Sequence, residues 1–193
     1  MTTLYAVRCN FNRPDKEAEW NEWYNGPKAA HMLEKPMIQR VQRFEAVGLE
    51  ASTKYLAQWE LDSAAALQTP EYTSSWGWFD WKPMIVDWER DLAAALDAAD
   101  PVPYPDSGDE GARVHYAWFR KDVTAAQRLE LDPDGTWWWG RCDGLDNTAR
   151  QLAVRVYPGD AALPTEPVFG DAARETLFRA VSPLLESSDV TVS

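Results

Sequence analysis

The sequence predicts an α+β protein built from two ferredoxin-like β-α-β-β-α-β units, whose antiparallel sheets pack on each other as an internal, pseudo-dimeric α+β barrel. Three observations lead there. Strand-like and helix-like segments follow that order twice along the chain. A stretch rich in Pro, Gly and acids at 93–112 separates the two runs. The 193 residues are 45% apolar, enough for each four-stranded sheet to bury its bare face on the other. The expected division is residues 1–92, a linker at 93–112, and a divergent second unit at 113–193. It rests on element order, since the letters of the two halves do not align.

The elements follow in order. "TLYAVRCNF" (3–11) alternates and is rich in strand formers. Pro14 with acids behind it opens a helix over 15–34, bent at Gly26-Pro27. "PMIQRVQRFEAVG" (36–48) and "TKYLAQWEL" (53–61) form a hairpin across "LEAS". A short helix capped by Asp62 or Ser63 ends at Pro70, and "PMIVDWERDL" (83–92) is the fourth strand. In the second unit "RVHYAWFR" (113–120) is a strand and "DVTAAQRLEL" a short helix. "TWWWGRCDG" and "ARQLAVRVY" make a hairpin, 171–185 reads as a helix, and "SDVTVS" as the last strand.

Composition narrows the function. A formal charge of −12 disfavours nucleic acid and anionic membrane surfaces as partners, since both need clustered Lys and Arg. No apolar run reaches transmembrane length and the first residues lack signal-peptide features, so the expected location is cytoplasmic. Cys9 and Cys142 form no CxxC, and His31 and His115 are the only histidines; a metal centre is therefore not expected. Nucleotide, phosphate-loop, serine-hydrolase and zincin signatures do not occur. The outlier is tryptophan, with eleven copies. An indole suits walls with one apolar and one wet edge, so the choice lies between a bulky core and a cavity for an aromatic ligand.

The stretch "EWNEWY" (Glu19–Tyr24), Pro36 and "QRF" (Gln42–Phe44) resembles the EthD-like proteins of the dimeric α+β barrel superfamily. Their pattern runs as W-x-x-W-Y on an acidic helix, a histidine, Pro-Gly, and a strand ending in Arg-Phe. Two positions depart from it: Lys28 stands where the family has histidine, with His31 three residues on, and Met37 replaces the glycine. The resemblance covers about the first 90 residues. It implies small-molecule chemistry in a cavity, commonly without metal or organic cofactor, with oxygenases and haem proteins among the relatives. For haem, His31 or His115 is the axial candidate.

On one helix Glu17, Asn21, Tyr24, Lys28 and His31 share a stripe. Such a stripe holds a general acid and base if it faces a pocket; if it does not, Trp20, Trp23 and Tyr24 simply pack the helix, Lys28 is solvated and His31 caps the helix end. Arg8, Arg40, Gln42, Gln58 and Glu60 recur at period two, so one sheet face is partly polar: in an isolated sheet it is the wet face, and in a closed barrel it lines the cavity, where each must be paired or bind a ligand. Glu89 and Asp87 are the expected partners of the arginines. His115 on its strand is either a core residue or a base projecting from the barrel wall. Asp80, inside "WGWFDWKP", is a candidate acid or a plain turn residue.

The leading expectation is a cofactor-independent lyase, cyclase or isomerase acting on a hydrophobic, aromatic or polyketide-like molecule. His31, His115, Tyr24 and Lys28 are the catalytic candidates. Arg8, Arg40, Trp23, Trp59, Asp80, Trp81 and Tyr116 are the substrate-binding ones. The rivals are a non-catalytic binder and a cofactor-free or haem monooxygenase. Dimerisation of the fused units stays open.

Overall fold

A computed structural model of the chain describes residues 2–49, 51–97, 101–146 and 148–190. The strands are β1 (Thr3–Phe11), β2 (Ile38–Leu49), β3 (Tyr55–Leu61), β4 (Ile85–Ala95), β5 (Arg113–Phe119), β6 (Trp138–Cys142), β7 (Gln151–Tyr157), β8 (Arg174–Ala180) and β9 (Leu185–Glu186). The α-helices are short: α1 (Glu17–Trp23), α2 (Ala29–Leu33), α3 (Pro70–Thr73) and α4 (Ala125–Leu131). Eight strands run in the order β3-β1-β4-β6-β7-β5-β8-β2, and β2 pairs back onto β3, closing an antiparallel barrel with β9 appended to β2. Closure leaves no long unpaired edge. Each half uses the same strand order, second, third, first, fourth, and the halves join through β4–β6 and β8–β2.

The second half departs from the expected helices. Residues 171–185 do not form a helix: Gly170–Ala172 is a 3-10 turn and Arg174–Ala180 is β8, hydrogen-bonded to β5 on one side and β2 on the other. "ARETLFRA" has helix-forming letters, but two open sheet edges outweigh a local preference worth tenths of a kcal/mol per residue. Ser187–Asp189, expected in the last strand, is a 3-10 turn, and residues 191–193 of that strand lie outside the described residues. β4 starts later than expected and continues to Ala95, because Ala93–Ala95 pair with Gly140–Cys142.

The first helix is also divided. A 3-10 turn at Pro14–Lys16 leads into α1, a π-helical turn occupies Tyr24–Lys28, and α2 follows. Pro27 lies inside the π turn, where its missing N–H is tolerated. The helix predicted before Pro70 is two pieces, a 3-10 segment capped by Ser63 and α3 capped by Thr69 with Pro70 in its first turn. Met37 has φ +67, a conformation that favours glycine.

The barrel interior is packed rather than hollow. Leu4, Ala6, Phe44, Leu56, Val114, Tyr116, Trp118, Trp138, Leu152, Val154 and Phe178 form one buried cluster there. Gln58 is fully buried, accepting from the Tyr116 hydroxyl at 2.5 Å and donating to the Pro103 carbonyl at 2.7 Å. Val102 and Tyr104 pack on the same cluster, so the segment expected as a linker plugs one end of the barrel. Alternation sends the other side chains outward. Tyr5, Val7, Cys9 and Trp59 meet the α1–α2 layer, while His115, Ala117 and Phe119 lie outside the second half, the latter two packed with Trp137, Trp139 and Phe169.

Candidate functional site

The sheet face outside the first half and the layer of α1, α2 and α3 enclose a cavity of about 30 Å³ lined by Tyr5, Val7, Tyr24, Lys28, Met32, Trp59, Tyr72, Trp76, Gly77, Trp78, Trp88 and Arg90. This volume holds roughly one water. The cavity is closed by the "WGWF" segment, where Gly77 at φ +115 turns the chain and Phe79 at φ +48 is strained. Trp76 is 42% and Phe79 53% exposed, so the cover is an aromatic flap with one face in water. On the corresponding outer face of the second half Trp137, Trp139, Phe119 and Phe169 pack together, and beside them a wider hollow of about 1040 Å³ opens between Arg120, Lys121, Glu130, Glu166 and Asp171. The aromatic-walled cavity belongs to the first half.

Local sequence explains each wall. Tyr5 and Val7 alternate outward on β1, and Trp88 and Arg90 do so on β4. Thr69 accepts from the Tyr72 N–H at 3.2 Å, starting α3 and setting Tyr72 so that its hydroxyl meets that of Tyr5 at 3.2 Å. Lys35 ties α3 to the end of α2 through the Glu71 carbonyl at 2.8 Å and Ser75 Oγ at 2.6 Å. The Arg90 guanidinium is gripped by both Asp146 oxygens, at 3.0 and 3.2 Å, and lies against Trp88 and Trp76.

Lys28 is the chemically distinctive group. It is buried, its Nζ lies 5.2 Å from the Phe79 ring centre, and no hydrogen bond or ion pair joins it to another described residue. Burial, with a contribution from the charge of Lys35, pulls its amine down to about 8. About a tenth of such amines are neutral at pH 7. Burial raises the Tyr5, Tyr72 and Tyr24 phenols instead, so all three remain protonated donors at neutral pH.

The predicted stripe is brought together only in part. Tyr24 and Lys28 line the cavity with Trp59. Asn21 turns to the Tyr55 hydroxyl and Glu17 to Lys54. His31 does not line the cavity; its ring stands 6.1 Å from Phe79. The wide π turn shifts the phase of every later residue, by about 100° for each residue it adds. Trp23 and Trp81 pack together at 6.0 Å outside the cavity, and Asp80 is exposed on the flap.

The remaining candidates sit elsewhere. Arg8 faces the barrel interior and is held by Asp91 at 2.7 Å, Glu89 at 2.9 Å and Thr148 at 2.8 Å. Asp87, the other expected partner, accepts from Asn10. Arg40 pairs with Glu60 at 2.7 Å beside Tyr104, and Tyr116 is inside the barrel core. His115 has no exposed surface: its Nε2 lies 2.8 Å from Glu175, and Trp137 covers it edge-on at 4.8 Å. Neither histidine lines the Lys28 cavity. Among the described residues no group of three or more His, Cys, Asp or Glu is placed to hold a metal ion. Sequence reasoning missed Tyr5, Tyr72, Trp76, Trp78, Trp88 and Arg90 as site residues; the period-two alternation of β1 and β4 carried the signal for Tyr5, Trp88 and Arg90.

No protein-family model and no curated protein sequence matches the chain. Solved structures do. An anthrone oxidase-like protein superposes over 100% of this chain and 95% of its own, at 8% identity and a TM-score of 0.61. A candidate monooxygenase from Lactobacillus acidophilus NCFM covers 97% of each chain, at 8% identity and a TM-score of 0.51. Both likenesses concern the fold: a mixed α+β chain whose eight-stranded antiparallel barrel closes within one polypeptide. No helix among the described residues is long and apolar enough to cross a membrane.

Proposed function

We propose that the chain is an enzyme whose Trp76–Phe79 flap lifts to widen the one-water cavity for a flat, hydrophobic aromatic molecule, from which Lys28 removes a proton. The observation carrying this reading is the Lys28 amine, buried in an aromatic cage, lacking a carboxylate partner among the described residues, and poised near neutrality. A solvated structural lysine needs none of these. The Tyr5–Tyr72 hydroxyl pair supplies neutral donors for the oxyanion that forms as the proton leaves, and Arg90 adds positive charge at the same wall. Lyase, cyclase and isomerase reactions at a carbon beside a carbonyl can each begin with such a step.

An oxygenase is the second reading, and the names of the two structural neighbours favour it. An anthrone-type ketone has an acidic methylene. Its carbanion reacts with dioxygen and, taking back the proton held by Lys28, gives a carbonyl and one molecule of water, with no further reductant. Both readings place proton removal first and part afterwards. The EthD-like pattern supports the same assignment, with Lys28 at the family's histidine position. In this reading residues 1–92 and 113–193 are unequal ferredoxin-like units joined by 93–112, and the first unit keeps the working pocket.

The test is incubation with a panel of anthrone-type and linear polyketide-like ketones, followed by mass spectrometry and an oxygen electrode. Turnover that disappears in Lys28→Met supports the base. Oxygen uptake with a mass gain of one oxygen for two hydrogens selects the oxygenase; a product formed without oxygen selects the lyase or isomerase. Binding without turnover of any compound would sink the enzyme reading and leave a binder.

A further inference from the structure

The two ends of the barrel are unlike. At the end where Leu4 pairs with Glu60, Val102, Pro103 and Tyr104 fill the opening. At the other end, where Arg8 pairs with Leu56, a cavity of about 420 Å³ opens between Glu89, Trp118, Arg120, Thr148, Ala149, Arg150 and Arg174. It shares no lining residue with the Lys28 pocket.

Strand geometry brings three arginines together there. Trp118 on β5 is in register with Arg174 on β8, and Phe119 with Gln151 on β7, so Arg120 and Arg150 are the next residues outward. Trp118, Leu152 and Phe178 point into the barrel. By alternation Arg120, Arg150 and Arg174 share that inward face at the same mouth. Trp118 is the floor, with the Arg8 guanidinium 4.4 Å and the Arg174 guanidinium 5.2 Å from its ring centre.

The charges at this mouth do not balance. Asp91 and Glu89 hold Arg8, and Glu89 also takes Arg174 at 3.3 Å. Arg120 and Arg150 make no side-chain hydrogen bond or ion pair with any described residue, and both are exposed. Four arginines thus face two carboxylates in a protein of net charge −12. The hollow that shares Arg120 and Arg174 with the mouth adds Lys121 but also Asp122, Glu130, Glu166, Asp171 and Glu175, and the one that shares Arg150 adds Arg141, Asp122 and Asp143, so the excess is confined to the mouth. Planar guanidinium forks on neighbouring strands match a phosphate or paired carboxylates.

We propose that this barrel mouth is a second binding site, separate from the Lys28 pocket, for a small dianionic molecule held by Arg120, Arg150 and Arg174.

Isothermal titration in chloride-free buffer at low ionic strength tests it, with phthalate and inorganic phosphate as the two dianions and neutral phthalamide as control. The wild-type chain is expected to bind at least one dianion, more weakly as salt rises, and not the amide. Arg120→Gln/Arg150→Gln should lose about tenfold or more in affinity, while Arg113→Gln, at the opposite end of β5, should change nothing. Phthalate alone binding identifies a dicarboxylate site, and phosphate alone a phosphate site. No binding of either, or binding undiminished in the double variant with its melting curve unchanged, overturns the proposal.

Discussion

The guanidinium carbon of Arg43 lies 4.2 Å from the ring centre of Tyr24 and 4.5 Å from that of Trp20. Arg43 is 1% exposed, and its one strong polar partner is Asn25 Oδ1 at 2.6 Å. The motif residues Trp20, Tyr24 and Arg43 are therefore one cation–π stack, joined by Tyr55, that clamps the helix layer to β2 and β3. Their spacing reflects packing. Only Tyr24 reaches past the stack into the cavity.

Arg43→Lys should be more disruptive than Arg43→Met. Lysine keeps a buried charge but loses the flat surface that two rings cover, whereas methionine fills the volume without a charge. Urea unfolding should show a loss of about 2–4 kcal/mol for lysine and a smaller loss for methionine. The reverse order would mean that the charge itself holds the stack.

Lys28→Met should abolish turnover and raise stability at pH 7. The folded chain lowers the Lys28 amine from its ordinary value of 10.5 to about 8, so the unfolded chain binds the extra proton between those values. The penalty is full below pH 8 and fades as pH rises toward 10.5. The variant should gain about 1–3 kcal/mol at pH 7 and nothing at pH 11. A lower melting temperature for the variant at pH 7 contradicts this assignment.

Turnover itself should climb with pH and level off above about 8, because neutral Lys28 is the base. A rate that falls between pH 7 and 9 would point to a protonated lysine as the working form.

The Tyr5–Tyr72 pair should behave as a unit. Either single Phe variant leaves a buried hydroxyl without its partner, at a cost of about 1 kcal/mol or more, and Tyr5→Phe/Tyr72→Phe should cost less than the two together. A double-mutant cycle in urea measures the coupling; strict additivity would show that the hydroxyls do not interact.

Glu175 accepts the Val168 and Phe169 N–H groups at 2.9 and 2.7 Å and stands against His115. It pins the segment before β8 to the barrel. Glu175→Ala should destabilise by about 3 kcal/mol or more. His115→Asn should lower the melting temperature while leaving kcat within about twofold; a collapse of kcat in a well-folded variant would return His115 to the chemistry.

Much of this protein was legible in the sequence. The alternation of β1, β2 and β3 put Arg8, Arg40, Gln58 and Glu60 on one sheet face; barrel closure turned that face inward, where each is paired. Trp137, Trp138 and Trp139 divide outward, inward, outward by the same period. Tyr24 and Lys28, expected on one face, both line the cavity, because they open and close the same π turn.

The tertiary structure decided the rest. Whether 171–185 coils or extends depends on β5 and β2 offering unpaired edges, a demand from residues more than 50 positions away in each case. The phase of His31 depends on five residues winding wide around Pro27. Which half keeps an aromatic-walled cavity under its outer layer depends on where Phe169 and the tryptophans settle, and the arginine mouth exists only because β5, β7 and β8 end together. Local preferences amount to tenths of a kcal/mol per residue. Barrel closure and ring packing contribute several, so wherever the two disagreed, contacts distant in sequence determined the outcome.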